Sequence, residues 1–429
     1  MKLRRELGLI EVVFYGISVI VGAGIFVLIG EGAKLAGNSL WVSFLIAALI
    51  SIFTGFSYAE LSAMYPKSGA EFVYVKKAYG SDFWAFLIGW LLIFALTSGM
   101  AAVSLGFSGY LTNLLGIEND VMRISISISL LVFLSLINFY GIKETSRVNM
   151  ILISVVFVSL IFIIFSGLSK TNNFSRFFEA PHGLSGVFSA VTLVFFAYLG
   201  FENVAYLAEE TKKPSHNIPM ALILSIIITA MLYSLVSISA LNLADWKELA
   251  RSSAPLAFAI SKVFGEMAFL FISIAALVAT SSTCLGLSVA SSRLIYGMAK
   301  ENSLPRFISA IHSKRRTPYL AIAISTILAV YFIFSGKIDR VAKLTSLNSL
   351  LAFTAVNLSL IYLRYTKPEM ERPFKSPINI GNFPITAFLG AVSCISLLGF
   401  FDADLLSLTF SILVIGWLLF FIKKQILKG

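Results

Sequence analysis

Polar chemistry in this chain gathers at two interruptions of long apolar runs. Val21-Gly22-Ala23-Gly24-Ile25-Phe26 sets two glycines one small residue apart near the middle of the first run. Phe196-Ala197-Tyr198-Leu199-Gly200-Phe201-Glu202 sets a glycine two residues before a carboxylate in the sixth. Each glycine weakens a helix by about 1 kcal/mol. A helix broken there frees N–H groups at one new end and carbonyls at the other. The N–H end carries partial positive charge and favours a carboxylate by about 0.3–1 kcal/mol, more when buried. The carbonyl end favours an ammonium or a metal cation. One cavity offering both matches the zwitterion of an α-amino acid. The same glycines also suit close packing between membrane helices, so the pattern leaves both roles open.

The elements that must hold these residues are membrane helices. The chain has 429 residues, 58% hydrophobic and only 13% charged, and its mean hydropathy is +0.89. A soluble domain carries roughly 25% charged residues, so a water-soluble enzyme is excluded, as is a disordered chain. The apolar runs reach about twenty residues, the length of a helical crossing rather than of a barrel strand. They predict twelve spans, near 10–33, 41–64, 83–112, 121–140, 146–167, 186–208, 217–241, 267–298, 318–335, 342–363, 383–401 and 405–423. A short extracellular helix is expected from about Pro255-Leu256. The basic start, Lys2-Leu3-Arg4-Arg5, resembles a signal peptide, but the series of like segments behind it makes it the lead-in to a first span.

Charge sets the orientation. With both termini on one side, the segments on that side hold 23 of the 33 Lys and Arg, while the acids divide 10 to 10 with Glu60 and Glu202 inside spans. A bias in bases but not in acids is the positive-inside signature, so both termini are expected in the cytoplasm, in a plasma membrane. The net charge of +11 is spread over seven loops and tails, which argues against a nucleic-acid partner. Cys284 and Cys394 lie inside apolar runs, and His182, His216 and His312 fall in loops, so no metal site, disulfide framework or cofactor is expected. No nucleophile–base pair lies within the spans, and no channel-like repeated filter appears.

The two interruptions occupy matching places. One opens the first five spans (10–167) and the other the next five (186–363), with two further spans at 383–423. Paired broken helices in corresponding halves are the best sequence pointer to a transporter binding site. With these residues the chain resembles the amino acid–polyamine–organocation superfamily over nearly its whole length. The resemblance rests on Gly22-Ala23-Gly24-Ile25-Phe26, Tyr58-Ala59-Glu60-Leu61 with Pro66-Lys67-Ser68-Gly69, and Tyr198-Leu199-Gly200-Phe201-Glu202. It extends through Glu209-Glu210, Pro214 and Pro219, then Arg293, Tyr296, Met298-Ala299, Leu304-Pro305 and Thr317-Pro318.

That resemblance implies an all-α, five-plus-five inverted-repeat fold of the LeuT type and secondary transport of an amino acid. It implies that the N–H groups of Ala23 and Gly24 bind the substrate carboxylate. The carbonyls of Ile20, Phe196, Ala197 and Leu199 would accept the α-ammonium, Phe196 would close over the substrate, and Glu202 would brace the break or serve as a purely structural carboxylate. Glu60, near the cytoplasmic end of its span, is expected to be solvated or to stabilise a gate.

The chain also departs from the family. Proton-coupled members carry a lysine in the fifth span, where this sequence has Val156. That leaves exchange driven by amino acid gradients, or a sodium ion between first-span carbonyls and the hydroxyls of Ser281 and Ser282. Those hydroxyls can equally bond back to their own helix. Members that carry cationic amino acids have a glutamate in the third span, where Ala95 stands here. A buried charge without a partner is costly, so the expected cargo is a neutral, apolar amino acid, with a polyamine or other organic cation as the alternative.

Overall fold

The computed structural model describes residues 7–67, 70–117, 119–140, 142–169, 177–208, 211–315, 317–334 and 337–426. The side chains of 142–152 and 423–426 lie outside this description. The described chain is almost entirely helical. In order it forms α1 (Leu9–Ile20), α2 (Ala23–Ala36), α3 (Leu40–Met64), α4 (Ala70–Tyr79), α5 (Asp82–Leu114), α6 (Asp120–Tyr140), α7 (Ile142–Leu168), α8 (Gly183–Val194), α9 (Asn203–Tyr206) and α10 (Pro214–Leu243). It continues with α11 (Trp246–Arg251), α12 (Pro255–Phe264), α13 (Glu266–Lys300), α14 (Tyr319–Ile333), α15 (Ile338–Thr366), α16 (Ile385–Leu398) and α17 (Ala403–Ile426). A two-residue hairpin, β1 (Asn379–Ile380) with β2 (Phe383–Pro384), precedes α16.

Helix is the only open-chain structure that satisfies its own backbone in hydrocarbon, and these apolar runs obey that. Among the described residues, eight helical stretches are long and apolar enough to cross a membrane, with Leu9–Met64 counted as one although it contains the first break. Local chemistry sets the ends. Ser81 caps α5 by accepting from the Trp84 N–H, Asp245 and Glu248 form a capping box on α11, and Pro214 and Pro255 stand in the first turns of α10 and α12. The short helix from Pro255 is present as expected, as α12.

The broken helices sit at the centre. α1 and α2 pack on α10, α8 and α13, while α10 packs broadly on α3 and α5 on α13 and α15. α6 and α17 are peripheral, with 22% of their apolar windows buried against 89% in α5, so their outer faces suit lipid. Bonds between connections fall into two sets. In one, Lys212 N–H donates to the Leu7 carbonyl (2.8 Å), Lys367 Nζ to the Lys77 carbonyl (2.9 Å), and Lys76 pairs with Glu301 (3.6 Å). In the other, Asn38 bonds Glu179 (3.1 Å), Asn113 bonds Ser253 (2.8 Å) and Arg340 bonds Asp404 (2.6 Å). The first set joins the start of the chain to connections after even-numbered expected spans; the second joins connections after odd-numbered ones.

Glu60 differs from its solvated reading. It is fully buried near the C-terminal end of α3. Arg364 of α15 donates to its Oε2 at 2.7 Å, Arg372 Nε lies 3.2 Å from its Oε1, and the Ser376 N–H donates to Oε2 at 2.8 Å. This cage pins the 367–384 connection onto α3 and α15. Removing one member of a buried ion pair strands the others, at about 3–5 kcal/mol. Glu60→Ala should therefore lower the unfolding temperature of the purified protein markedly in detergent; an unchanged Tm would mean that the cage does not hold the connection.

Candidate functional site

The first break spans two residues. α1 ends at Ile20, Val21 leaves helical geometry at ψ 83°, and Gly22 (φ −144°, ψ −126°) stands as the cap of α2 without a side chain to fill that role. The opening N–H groups of α2, those of Ala23 and Gly24 among them, have no intrahelical partner. On the other side, the Ile17 carbonyl accepts from the Val21 N–H (2.6 Å) and the Ile20 carbonyl from the Gly22 N–H (2.9 Å), so the end of α1 is tied into the break. The second break is longer. α8 passes into a 3-10 turn over Phe195–Tyr198, Leu199 is extended (ψ 141°), and Gly200 takes φ +120°, a conformation that only glycine adopts without strain. α9 then restarts the helix. The Gly200 N–H donates to Glu202 Oε2 at 2.9 Å, so the carboxylate holds one of the amides that the break exposes.

The two breaks touch. A methyl group on Gly24 would overlap Cα and Cβ of Ala197, and one on Gly200 would lie 3.1 Å from the Val19 carbonyl group. Tyr233 of α10 reaches between them. Its hydroxyl donates to the Ile20 carbonyl at 2.6 Å and lies 3.1 Å from the Ala197 carbonyl. Two carbonyls expected to face a ligand ammonium thus converge on one phenol. Tyr233 also packs against Phe44 and Tyr198, while Phe195, Phe201, Phe353 and Tyr58 form a second aromatic cluster beside the breaks.

The sequence-predicted residues divide accordingly. Ile20, Ala23, Gly24, Phe196, Ala197, Leu199 and Glu202 all lie in or at the ends of the two breaks. All but the half-buried Leu199 are buried. The Phe196 carbonyl is already engaged by the Leu199 N–H at 3.2 Å. Ser281 is turned away, its hydroxyl donating to the Leu277 carbonyl of its own helix at 2.8 Å. Ser282 is buried beside it. The residue of that run that reaches the first break is Thr283, whose hydroxyl occupies the space above Gly22. Val156 is fully buried on α7, which packs on both α1 and α13.

Four residues at the site were given no role of their own by the sequence. Tyr233 was one tyrosine in an ordinary apolar span and carried no signal. Thr283 directly follows Ser281 and Ser282 in the sequence, but only its phase on α13 selects it. Tyr198 and Asn203 flank the second break. The Tyr198 hydroxyl, both ends of the Asn203 amide and the Thr283 hydroxyl are buried without a hydrogen-bond partner. Buried polar groups are nearly always paired, so unpaired ones beside two breaks mark a place where a polar ligand can complete the bonding.

Such an arrangement, buried helices broken opposite each other within a polytopic helical bundle, defines a multi-pass membrane protein of the transporter class. The chain belongs to the amino acid permease family, whose model matches residues 7–422. It is 30% identical over 416 residues to the branched-chain amino acid permease BcaP of Bacillus subtilis, covering 92% of this chain and 88% of that one. It is 29% identical to the methylthioribose transporter of the same organism, over 92% of this chain and 88% of the relative. It is also 29% identical to the vacuolar cationic amino acid transporter 4 of Arabidopsis thaliana, over 86% of this chain and 64% of the plant protein. These are transporters, and the chain is an amino acid permease rather than an enzyme.

Gly24→Val should abolish uptake while leaving insertion intact, since any side chain there both blocks approach to the α2 amides and forces Ala197 away. Wild-type-like uptake by Gly24→Val, at equal amounts in the membrane, would remove this contact from the site.

Proposed function

We propose that this permease carries a neutral, apolar α-amino acid across the plasma membrane by alternating access. It would do so through twelve spans arranged as two inverted five-helix repeats, 10–167 and 186–363, with both termini in the cytoplasm. The observation that carries the reading is the direct contact of the two breaks, with uncapped amides at Ala23–Gly24 and the Ile20 and Ala197 carbonyls on the same Tyr233 hydroxyl. A zwitterion has the two charges that such a pair of helix ends attracts. Phe196 is placed beside them in the sequence as the aromatic cover. The parity of bonds between connections supports the twelve crossings and the common side of the termini.

Charge supports a neutral cargo. Ala95 is buried on α5 without a carboxylate, and Glu60 is taken by two arginines. Among the described residues, Glu202 is the carboxylate within the breaks, and it already accepts from Gly200. The branched-chain relative agrees with a neutral substrate, while the cationic plant relatives favour a charged one. Competition decides between them. In proteoliposomes, unlabelled isoleucine or valine should suppress leucine uptake at least about tenfold more effectively than arginine or putrescine, a difference of about 1.4 kcal/mol in binding. Competition by arginine or putrescine alone would overturn the neutral reading.

Val156 leaves lysine-based coupling without its residue, and the Ser281 hydroxyl is spent on its own helix, so exchange driven by amino acid gradients is the second reading. If the Val156 pocket adjoins an ion site, Val156→Lys will alter the pH or sodium dependence of leucine uptake. Profiles that superimpose on the wild type would detach that pocket from coupling.

A further inference from the structure

One buried acid has no part in the transport reading above. Glu71 stands at the start of α4, outside the expected spans, and is fully buried. Each of its oxygens is held by a tyrosine from a different element. Tyr58 of α3 donates to Oε1 at 2.9 Å, and Tyr206 of α9 donates to Oε2 at 2.8 Å. Tyr74, on α4 itself, is buried within electrostatic reach. Glu202, at the second break, is the other carboxylate whose charge bears on this cluster. α5 and α15 also pack on α4 but bring no charge to bear on Glu71.

No Lys, Arg or His among the described residues pairs with Glu71. This separates it from Glu60, which two arginines neutralise. Two carboxylates without a countercation in one buried cluster cannot both hold full charge cheaply, and the common resolution is a bound proton. Burial pushes the Glu71 carboxyl up to about 6, against the pull of its two tyrosine donors. It therefore changes charge within the ordinary physiological range.

We propose that Glu71 is a proton-binding site that couples amino acid transport to a proton gradient, with Tyr58 and Tyr206 as positioning residues and Glu202 as the second acid. The proposal rests on the transport reading above. With Glu71 ionised, both tyrosines donate to it and tie α9, the inner half of the broken sixth stretch, to α3 and α4. One proton converts the carboxylate to an acid. That oxygen becomes a donor, one of the two ties must reverse or open, and α9 is loosened. Release of the same proton to the cytoplasm restores both ties. A fifth-span lysine is not needed for this cycle.

The test compares two assays on one preparation. In proteoliposomes loaded with unlabelled leucine at equal pH on both sides, labelled leucine exchange reports assembly and substrate binding. In empty vesicles with an alkaline interior, leucine accumulation reports proton coupling. The wild type is expected to exchange and to accumulate above its level without a gradient. Glu71→Gln, isosteric and unable to release a proton, should exchange leucine but lose the response to the gradient. Should Glu71→Gln fail to insert, Tyr206→Phe serves instead. Removing one donor to the carboxylate should raise the midpoint of the uptake–pH curve by about one unit. Gradient-driven accumulation by Glu71→Gln equal to the wild type overturns the proposal, as does an unshifted Tyr206→Phe curve. A wild type that exchanges leucine but ignores the gradient overturns it too, whereas a wild type that exchanges no amino acid at all overturns the transport reading itself.

Discussion

The constraint behind this structure is the cost of an unpaired peptide group where water is scarce. A backbone amide or carbonyl exposed to hydrocarbon costs several kcal/mol, so a helix can break at depth only if something polar meets the break. Here each break is met by the other and by a few side chains. Tyr233 caps the carbonyl of Ile20 and lies beside that of Ala197, Glu202 holds the Gly200 amide, and the Thr283 hydroxyl covers Gly22. What these groups leave unsatisfied, the leading amides of α2 and the polar tips of Tyr198, Asn203 and Thr283, is what a small zwitterion can supply.

Buried charge is handled in two ways. Glu60 is neutralised by Arg364 and Arg372, and it fastens the 367–384 connection to the helix ends beneath it. Among the described residues, Glu202 and Glu71 have no paired cation and are held instead by an amide and by tyrosines. The paired carboxylate is held by charge on both oxygens. A carboxylate held only by neutral donors responds to protonation, because the proton changes which partner donates. The chain therefore holds one buried carboxylate by cations and the others by neutral donors, and Glu71 is tied through Tyr206 to the broken helix.

The glycines show how one residue serves two demands that seemed to compete. Gly24 permits the α2 amides to be approached and also lets Ala197 lie directly against it. Close packing and exposure of backbone are here the same contact, since the two breaks can share a ligand only by lying within reach of each other.

The membrane class, the positions of the apolar helices and the two breaks were legible in the sequence, while Ile20, Ala23, Gly24, Phe196, Ala197, Leu199 and Glu202 were singled out with the help of the family resemblance. Hydropathy, glycine and an intramembrane acid are local signals, and a helix that satisfies its own backbone leaves little for distant residues to decide. Partnership was not legible. Nothing local marks Tyr233 among fifteen tyrosines, distinguishes Thr283 from Ser281 two positions earlier, or tells that Glu60 is caged while Glu71 is not. Those outcomes depend on which face each helix turns to its neighbours and which connection folds back across the bundle, and a side chain's partner three hundred residues away is set only when the whole bundle packs.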